Sequence, residues 1–107
     1  MTYSVKILNK ILNEVPDGKI YHIVLGEQRT IYQIREYTDQ YQFSQTIYEN
    51  REEILKAVVH NGCIELHLKF TTYSVFNEKK TKIKEKTWIE FIPFSQITNI
   101  IYADAEQ

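Results

Sequence analysis

Three residues able to bind metals or move protons fall close together in the middle of the 107-residue chain: His60, Cys63 and His67. Imidazole nitrogen and thiolate sulfur are common zinc ligands, and a Cys–His pair is also the start of a nucleophilic dyad. The spacing argues against both. From Cys63 to Phe70 the chain alternates polar and apolar residues, the period of a half-buried strand. Four strand residues at about 3.3 Å each hold Cys63 and His67 ~13 Å apart, whereas zinc ligands lie within ~2.3 Å of one ion. His60 and Cys63 can approach each other across Gly62, but two ligands make neither a structural nor a catalytic zinc site. The best remaining acid–base pair is His67 with Glu90, set opposite one another in a hairpin. No nucleophile or oxyanion donor is implied beside them, so a polar cross-strand contact is the expectation. His22, inside an apolar run over residues 20–25, is expected to be partly buried with one hydrogen-bond partner. Phosphate-cradling Gly loops, metalloprotease helix motifs and paired-Cys motifs are all missing. The expectation is a protein that is not an enzyme, with no cofactor and no metal.

A second kind of chemistry is offered by charge. Lys69, Lys82, Lys84 and Lys86 interleave with Tyr73 and Trp88, and Lys79 and Lys80 stand nearby. Single-stranded nucleic acid is held by such a combination, because cations follow phosphates and rings stack on bases. Glu78, Glu85 and Glu90 dilute the patch, and a solvated strand face whose Lys residues discourage edge-to-edge pairing is the plain alternative. A net charge of −1 provides no global attraction to nucleic acid or to an anionic membrane. Ten Lys against three Arg (Arg29, Arg35, Arg51) speak against base-edge readout, which favours Arg. The leading expectation is a small non-catalytic binding or regulatory module that contacts RNA or single-stranded DNA through Lys69, Tyr73, Lys82, Lys84, Lys86 and Trp88. The competing one is a protein-interaction module (inhibitor, adaptor or homodimer) in which Trp88 and the Tyr-rich segment 37–48, with Tyr37, Tyr41, Phe43 and Tyr48, form the hot spot.

The element that must position these residues is a long β-hairpin over residues 63–92. Its first arm sends Ile64, Leu66, Leu68 and Phe70 to a core. Its second arm is expected to send Ile83, Ile89 and Phe91 there, leaving Lys82, Lys84, Lys86, Trp88 and Glu90 outside. Even positions in one arm then face odd positions in the other. With residues 77–80 as the loop, Leu66 faces Phe91, Leu68 faces Ile89 and Phe70 faces Thr87. On the outer side Tyr73 faces Lys84, Thr71 faces Lys86, Lys69 faces Trp88 and His67 faces Glu90. Registers displaced by two remain open, since the loop lacks the Asn-Gly or Asp-Gly that fixes a tight turn.

The rest of the chain supplies elements to pack on that hairpin. Val5, Ile7, Leu8, Ile11, Leu12 and Val15 fall on one helical face, with Thr2 or Ser4 as cap. Val15-Pro16-Asp17-Gly18 turns the chain. Strands are expected over residues 19–25, 29–37 and 40–48. A second helix is expected from Asn50 to Gly62, with Asn50 as N-cap, Glu52 and Glu53 in the first turn, Ile54, Leu55, Val58 and Val59 as the buried stripe, and Gly62 as terminator. After the hairpin, Pro93 and the turn at Phe94-Ser95-Gln96 lead to a last strand over residues 97–103. The order α-β-β-β-α-β-β-β predicts one α+β domain over residues 1–107, with a mainly antiparallel six-stranded sheet or small open barrel and two helices packed on it. A chain this long buries roughly two-thirds of its unfolded surface, enough for a core without staples. One cysteine allows no intrachain disulfide, and the first fifteen residues lack an apolar signal region. No window approaches the ~20 apolar residues of a transmembrane helix. A cytoplasmic protein that binds no membrane is the expectation.

The run Trp88-Ile89-Glu90-Phe91-Ile92-Pro93-Phe94-Ser95-Gln96-Ile97-Thr98-Asn99-Ile100 resembles the strand, turn and strand that close small barrels such as PH-like and Sm-like domains. The two expected helices depart from a simple Sm-like order, and a barrel with inserted helices, as in PUA-like RNA-binding domains, fits the element count no worse. These are likenesses of fold, and fold does not determine function.

Overall fold

The computed structural model describes residues 3–26 and 28–105, the side chains of residues 35–38 excepted. Helix α1, Val5–Asn13, opens as its sequence indicates: the Ser4 hydroxyl accepts from the Ile7 amide at 3.1 Å, and Leu8 is fully buried. Gly18 takes a φ of 77° in the following turn. Seven antiparallel strands follow: β1 Lys19–Leu25, β2 Arg29–Tyr32, β3 Ile34–Phe43, β4 Thr46–Val59, β5 Cys63–Phe76, β6 Lys79–Pro93 and β7 Ile97–Asp104. A 3-10 turn, Phe94–Gln96, separates the last two. They form two open sheets, ordered β2-β1-β7 and β3-β4-β5-β6. The protein is thus mainly β with one helix, and neither the second helix nor the barrel is present among the described residues.

The segment expected to be a helix, residues 50–62, is mostly the body of β4. Its Ile54, Val58 and Val59 are β-branched and suit a strand. A bulge explains the misleading period. Asn50, Glu52 and Ile54 face the core side, the register slips at Leu55, and Ala57 and Val59 resume on that same side. An extra strand residue turns a two-residue spacing into three, which imitates a helical stripe. Asn50 caps no helix. It accepts from the Thr72 hydroxyl at 2.8 Å and donates to Asp39, forming a polar rung across three strands.

Two other strand boundaries differ from expectation. The single strand over residues 29–37 divides at Gln33, whose amide donates to the Tyr21 carbonyl at 3.0 Å while its own carbonyl accepts from Ile54 at 3.0 Å. Gln33 therefore stitches one sheet to the other. The strand over residues 40–48 is instead a hairpin, turning at Ser44 with φ 60° and pairing Tyr41 with Tyr48.

One core joins both sheets and the helix: Leu8, Tyr21, Ile23, Leu25, Ile31, Ile54, Ile64, Leu66, Leu68, Ile92, Phe94 and Ile97. On β5 it reaches only as far as Leu68. Fourteen residues at about 3.3 Å span ~46 Å, close to the molecule's 48 Å long axis. The outer half of the four-stranded sheet therefore projects beyond its cover. The radius of gyration, 15.8 Å, exceeds the roughly 13 Å of a compact domain this size. Among the described residues, no helix is long and apolar enough to cross a membrane.

Candidate interaction surface

The hairpin of β5 and β6 exists, but its register overturns the expected faces. Asn77 and Glu78 turn the chain with φ values of 51° and 63°, the left-handed pair of a two-residue type I′ turn. Phe76 then faces Lys79 and Tyr73 faces Lys82. Beyond that the register shifts, leaving Ile83 as an extra residue, and Thr72 faces Lys84. One inserted residue sends every later side chain to the opposite face. Leu66 consequently faces Glu90 and not Phe91, Leu68 faces Trp88 and not Ile89, and Phe70 faces Lys86 and not Thr87. Lys69 faces Thr87, Thr71 faces Glu85 and His67 faces Ile89.

The six residues singled out from sequence are therefore divided. Lys69, Tyr73 and Lys82 lie on the outer face. Lys84, Lys86 and Trp88 lie on the face that carries the core, where Trp88 packs half-buried against it. Much of the outer positive charge is neutralised. Lys69 and Lys82 both reach Glu85, at 2.9 and 3.5 Å, and Lys80 reaches Glu49 at 3.4 Å while lying 4.5 Å over the Tyr73 ring. The hydrogen bond between them raises the Lys69 pKa and lowers that of Glu85. On the core-side face, Lys86 sits 5.1 Å over the Trp88 ring. Trp88 Nε1 donates to Glu90 at 2.8 Å, and Arg29 from the other sheet pairs with the same carboxylate at 2.6 Å. The Arg29 hydrogen bond, aided by that from Trp88, holds Glu90 below the usual carboxylate range.

The Tyr-rich segment shares this core-side face. Tyr41 and Tyr48 stack at 4.9 Å with 17° between their planes, and Phe43 at the turn is exposed. The Tyr37 side chain lies outside the described residues. His67 pairs with Glu65 at 2.5 Å, and His60 reaches the other oxygen of Glu65 at 2.8 Å. These bonds, His60 first, lower the Glu65 pKa. The expected pairing of His67 with Glu90 is thus replaced by one along its own strand. Among the described residues no group of three His, Cys, Asp or Glu is disposed to hold a metal ion. Cys63 is a half-buried free thiol.

The register reveals a surface that alternation alone misassigned. Ile83, Ile89 and Phe91, expected in the core, are 53%, 52% and 61% exposed. Leu55, the bulged residue of β4, is 54% exposed and lines a shallow groove with His67, Leu68, Thr87, Trp88 and Ile89. Along one side of this groove runs β6, the last strand of its sheet. A strand at an edge presents backbone N–H and C=O groups that another chain can pair. The five Lys residues of β6 all lie between Lys79 and Lys86, so they guard the tip and leave the stretch from Thr87 onward open. Two counted signals, the Lys gradient along the strand and the odd spacing of exposed apolar residues, were visible in the sequence, but only the bulge tells which face they occupy. Compared with known proteins, the chain matches no family model, no curated protein and no solved structure.

Proposed function

We propose that this protein is a non-catalytic protein-interaction module that docks its partner along the open edge of β6. One observation carries the reading: on an edge strand, Ile89 and Phe91 stand more than half exposed beside a segment free of Lys. Solvated edges are normally blunted by Lys, Pro or short length. Here Lys protects only the tip, and Glu90, the one acid between Thr87 and Pro93, is already held by Arg29. Backbone pairing supplies affinity in such docking, while the side chains on alternate positions supply selectivity. The combination Ile89→Lys with Phe91→Lys tests it without disturbing the core. In extract from its own cells, the wild type is expected to elute in an assembly that survives ribonuclease, and the double variant to elute at the mass of the free chain. Elution of the wild type as a free chain, or an assembly indifferent to both substitutions, overturns the reading.

A second reading rests on the core-side face of the projecting half-sheet. Lys84 and Lys86 have no ion-pair partner among the described residues, and they share that face with Trp88 and the Tyr41–Tyr48 stack. Cations beside stacking platforms suit single-stranded RNA or DNA. It ranks second because Lys69, Lys80 and Lys82 are engaged with carboxylates. Anisotropy with a labelled oligonucleotide at low salt tests it. Binding lost when Lys84 and Lys86 become Ala, with a reduced salt slope, favours this reading over the first.

A further inference from the structure

We propose that the partner on the β6 edge is a second copy of this chain, paired antiparallel through β6 about a two-fold axis at Thr87. The inference rests on β6 being a docking edge and adds what docks there and in which register. A two-fold axis perpendicular to the sheet keeps each face continuous across the dimer, so facing residues must come from the same face. From Lys84 to Pro93 the pairing with β5 runs without a break, so the faces here are settled: Lys84, Lys86, Trp88 and Glu90 on the core side, Glu85, Thr87, Ile89 and Phe91 on the outer side. Only registers centred on a residue are then allowed.

Of these, the register centred on Thr87 matches charge and strands fewer charges on apolar side chains than centring on Trp88 does. Lys84 falls opposite Glu90 of the partner subunit, and Lys86 falls opposite Trp88 of the partner subunit. Symmetry gives each contact twice. Thr87 meets its own copy, and hydroxyl pairs of this kind are favourable across strands. Glu85 meets Ile89 of the partner subunit. The neighbouring centres do worse. Centring on Lys86 sets two ammonium groups face to face, and like charges directly opposite destabilise a strand pair. Centring on Trp88 keeps one favourable pair, Lys86 opposite Glu90 of the partner subunit, but sets Glu85 against Phe91 and Lys84 against Ile92, stranding two charges on apolar side chains. The same Lys residues that repel a misplaced copy at the tip therefore select one register near Thr87.

Thiol scanning in a Cys63→Ser background reads the register directly, since a disulfide forms only when the two Cβ atoms approach within roughly 4.5 Å. Thr87→Cys, Lys86→Cys and Trp88→Cys each place a single thiol at one of the three axes compared. Under mild oxidation Thr87→Cys is expected to form the cross-linked dimer roughly tenfold faster than the other two. Light scattering on the unoxidised wild type is expected to show a dimer that dissociates on dilution, and Lys84→Glu to weaken it by roughly tenfold, since it sets like charges opposite each other twice. Faster linkage through Lys86→Cys or Trp88→Cys overturns the register. Equal slow linkage at all three, together with a monomeric mass at every concentration, overturns self-pairing. In that case the loss or survival of the larger assembly in extract, on substituting Ile89 and Phe91, still decides separately whether β6 docks another protein.

Discussion

Trp88 stands directly opposite Leu68 across the hairpin, on the side that carries the core. That single pairing inverts the face on which each later residue of β6 lies, and it converts Ile89 and Phe91 from core residues into an exposed edge stripe. The consequences for stability and association can be measured one at a time.

The first concerns the two neighbours Trp88 and Ile89. Trp88 packs against the core while Ile89 is 52% exposed. Trp88→Ala is expected to destabilise the fold by about 2–3 kcal/mol and Ile89→Ala by less than about 0.5 kcal/mol. Denaturant midpoints in dilute solution, where association does not contribute, check this. The reverse order of effects contradicts the observed register.

Deletion discriminates the bulge from the regular ladder. Ile83 is the unpaired residue between Lys84, opposite Thr72, and Lys82, opposite Tyr73. Removing it leaves both flanking registers intact, so the protein is expected to fold with little change in melting temperature. Removing Thr87 instead forces every pair on one side of it to slip, which carries side chains across the sheet. That deletion is expected to abolish cooperative melting by circular dichroism.

Acid sensitivity follows from Glu90. Its folded pKa lies below the usual carboxylate value because of Arg29, so the pair stabilises the fold fully above the unfolded pKa and loses that contribution as pH falls through the folded one. Arg29 is about half exposed, and with screening the contribution is about 0.5–1 kcal/mol. Arg29→Ala is expected to lower stability by that amount at neutral pH and to have no effect once Glu90 is protonated. Equal destabilisation at both pH values argues against the ion pair.

Alkaline sensitivity has a different source. Tyr21 is 4% exposed, and burial raises its pKa from 10.0 to about 12. A raised pKa favours the protonated form in the fold, so the contribution is intact below pH 10 and declines as pH rises from there to about 12, by on the order of 2 kcal/mol. Tyr21→Phe is expected to remove that alkaline loss, as followed by unfolding at successive pH values. An unchanged alkaline profile contradicts the assignment.

Much of the architecture can be read directly from residues. Ser4 and the apolar spacing mark α1, the run from Lys19 to Leu25 marks β1, and Asn77 with its neighbours separates the arms of the long hairpin. The two largest failures share one cause. Period-two reasoning assumes one residue against one, and the bulges at Leu55 and Ile83 break that assumption. At Leu55 the break imitated a helix; at Ile83 it exchanged the faces of β6. Gln33 was unreadable for another reason, because its role is to pass the chain from one sheet to the other through hydrogen bonds to distant Tyr21 and Ile54. Of the candidate surface, the residue types were legible in Lys84, Lys86, Trp88, Ile89 and Phe91. Their division between two faces was not.

The most direct test of β6 as the docking edge is site-specific photo-crosslinking. A benzophenone side chain is placed at Ile89, and separately at the exposed Ile7 of α1 as a control. On irradiation in cells, position 89 is expected to give a discrete protein adduct that ribonuclease does not shorten, absent from position 7. Adducts equal at both positions, an adduct consisting of RNA, or none at position 89 would contradict the account.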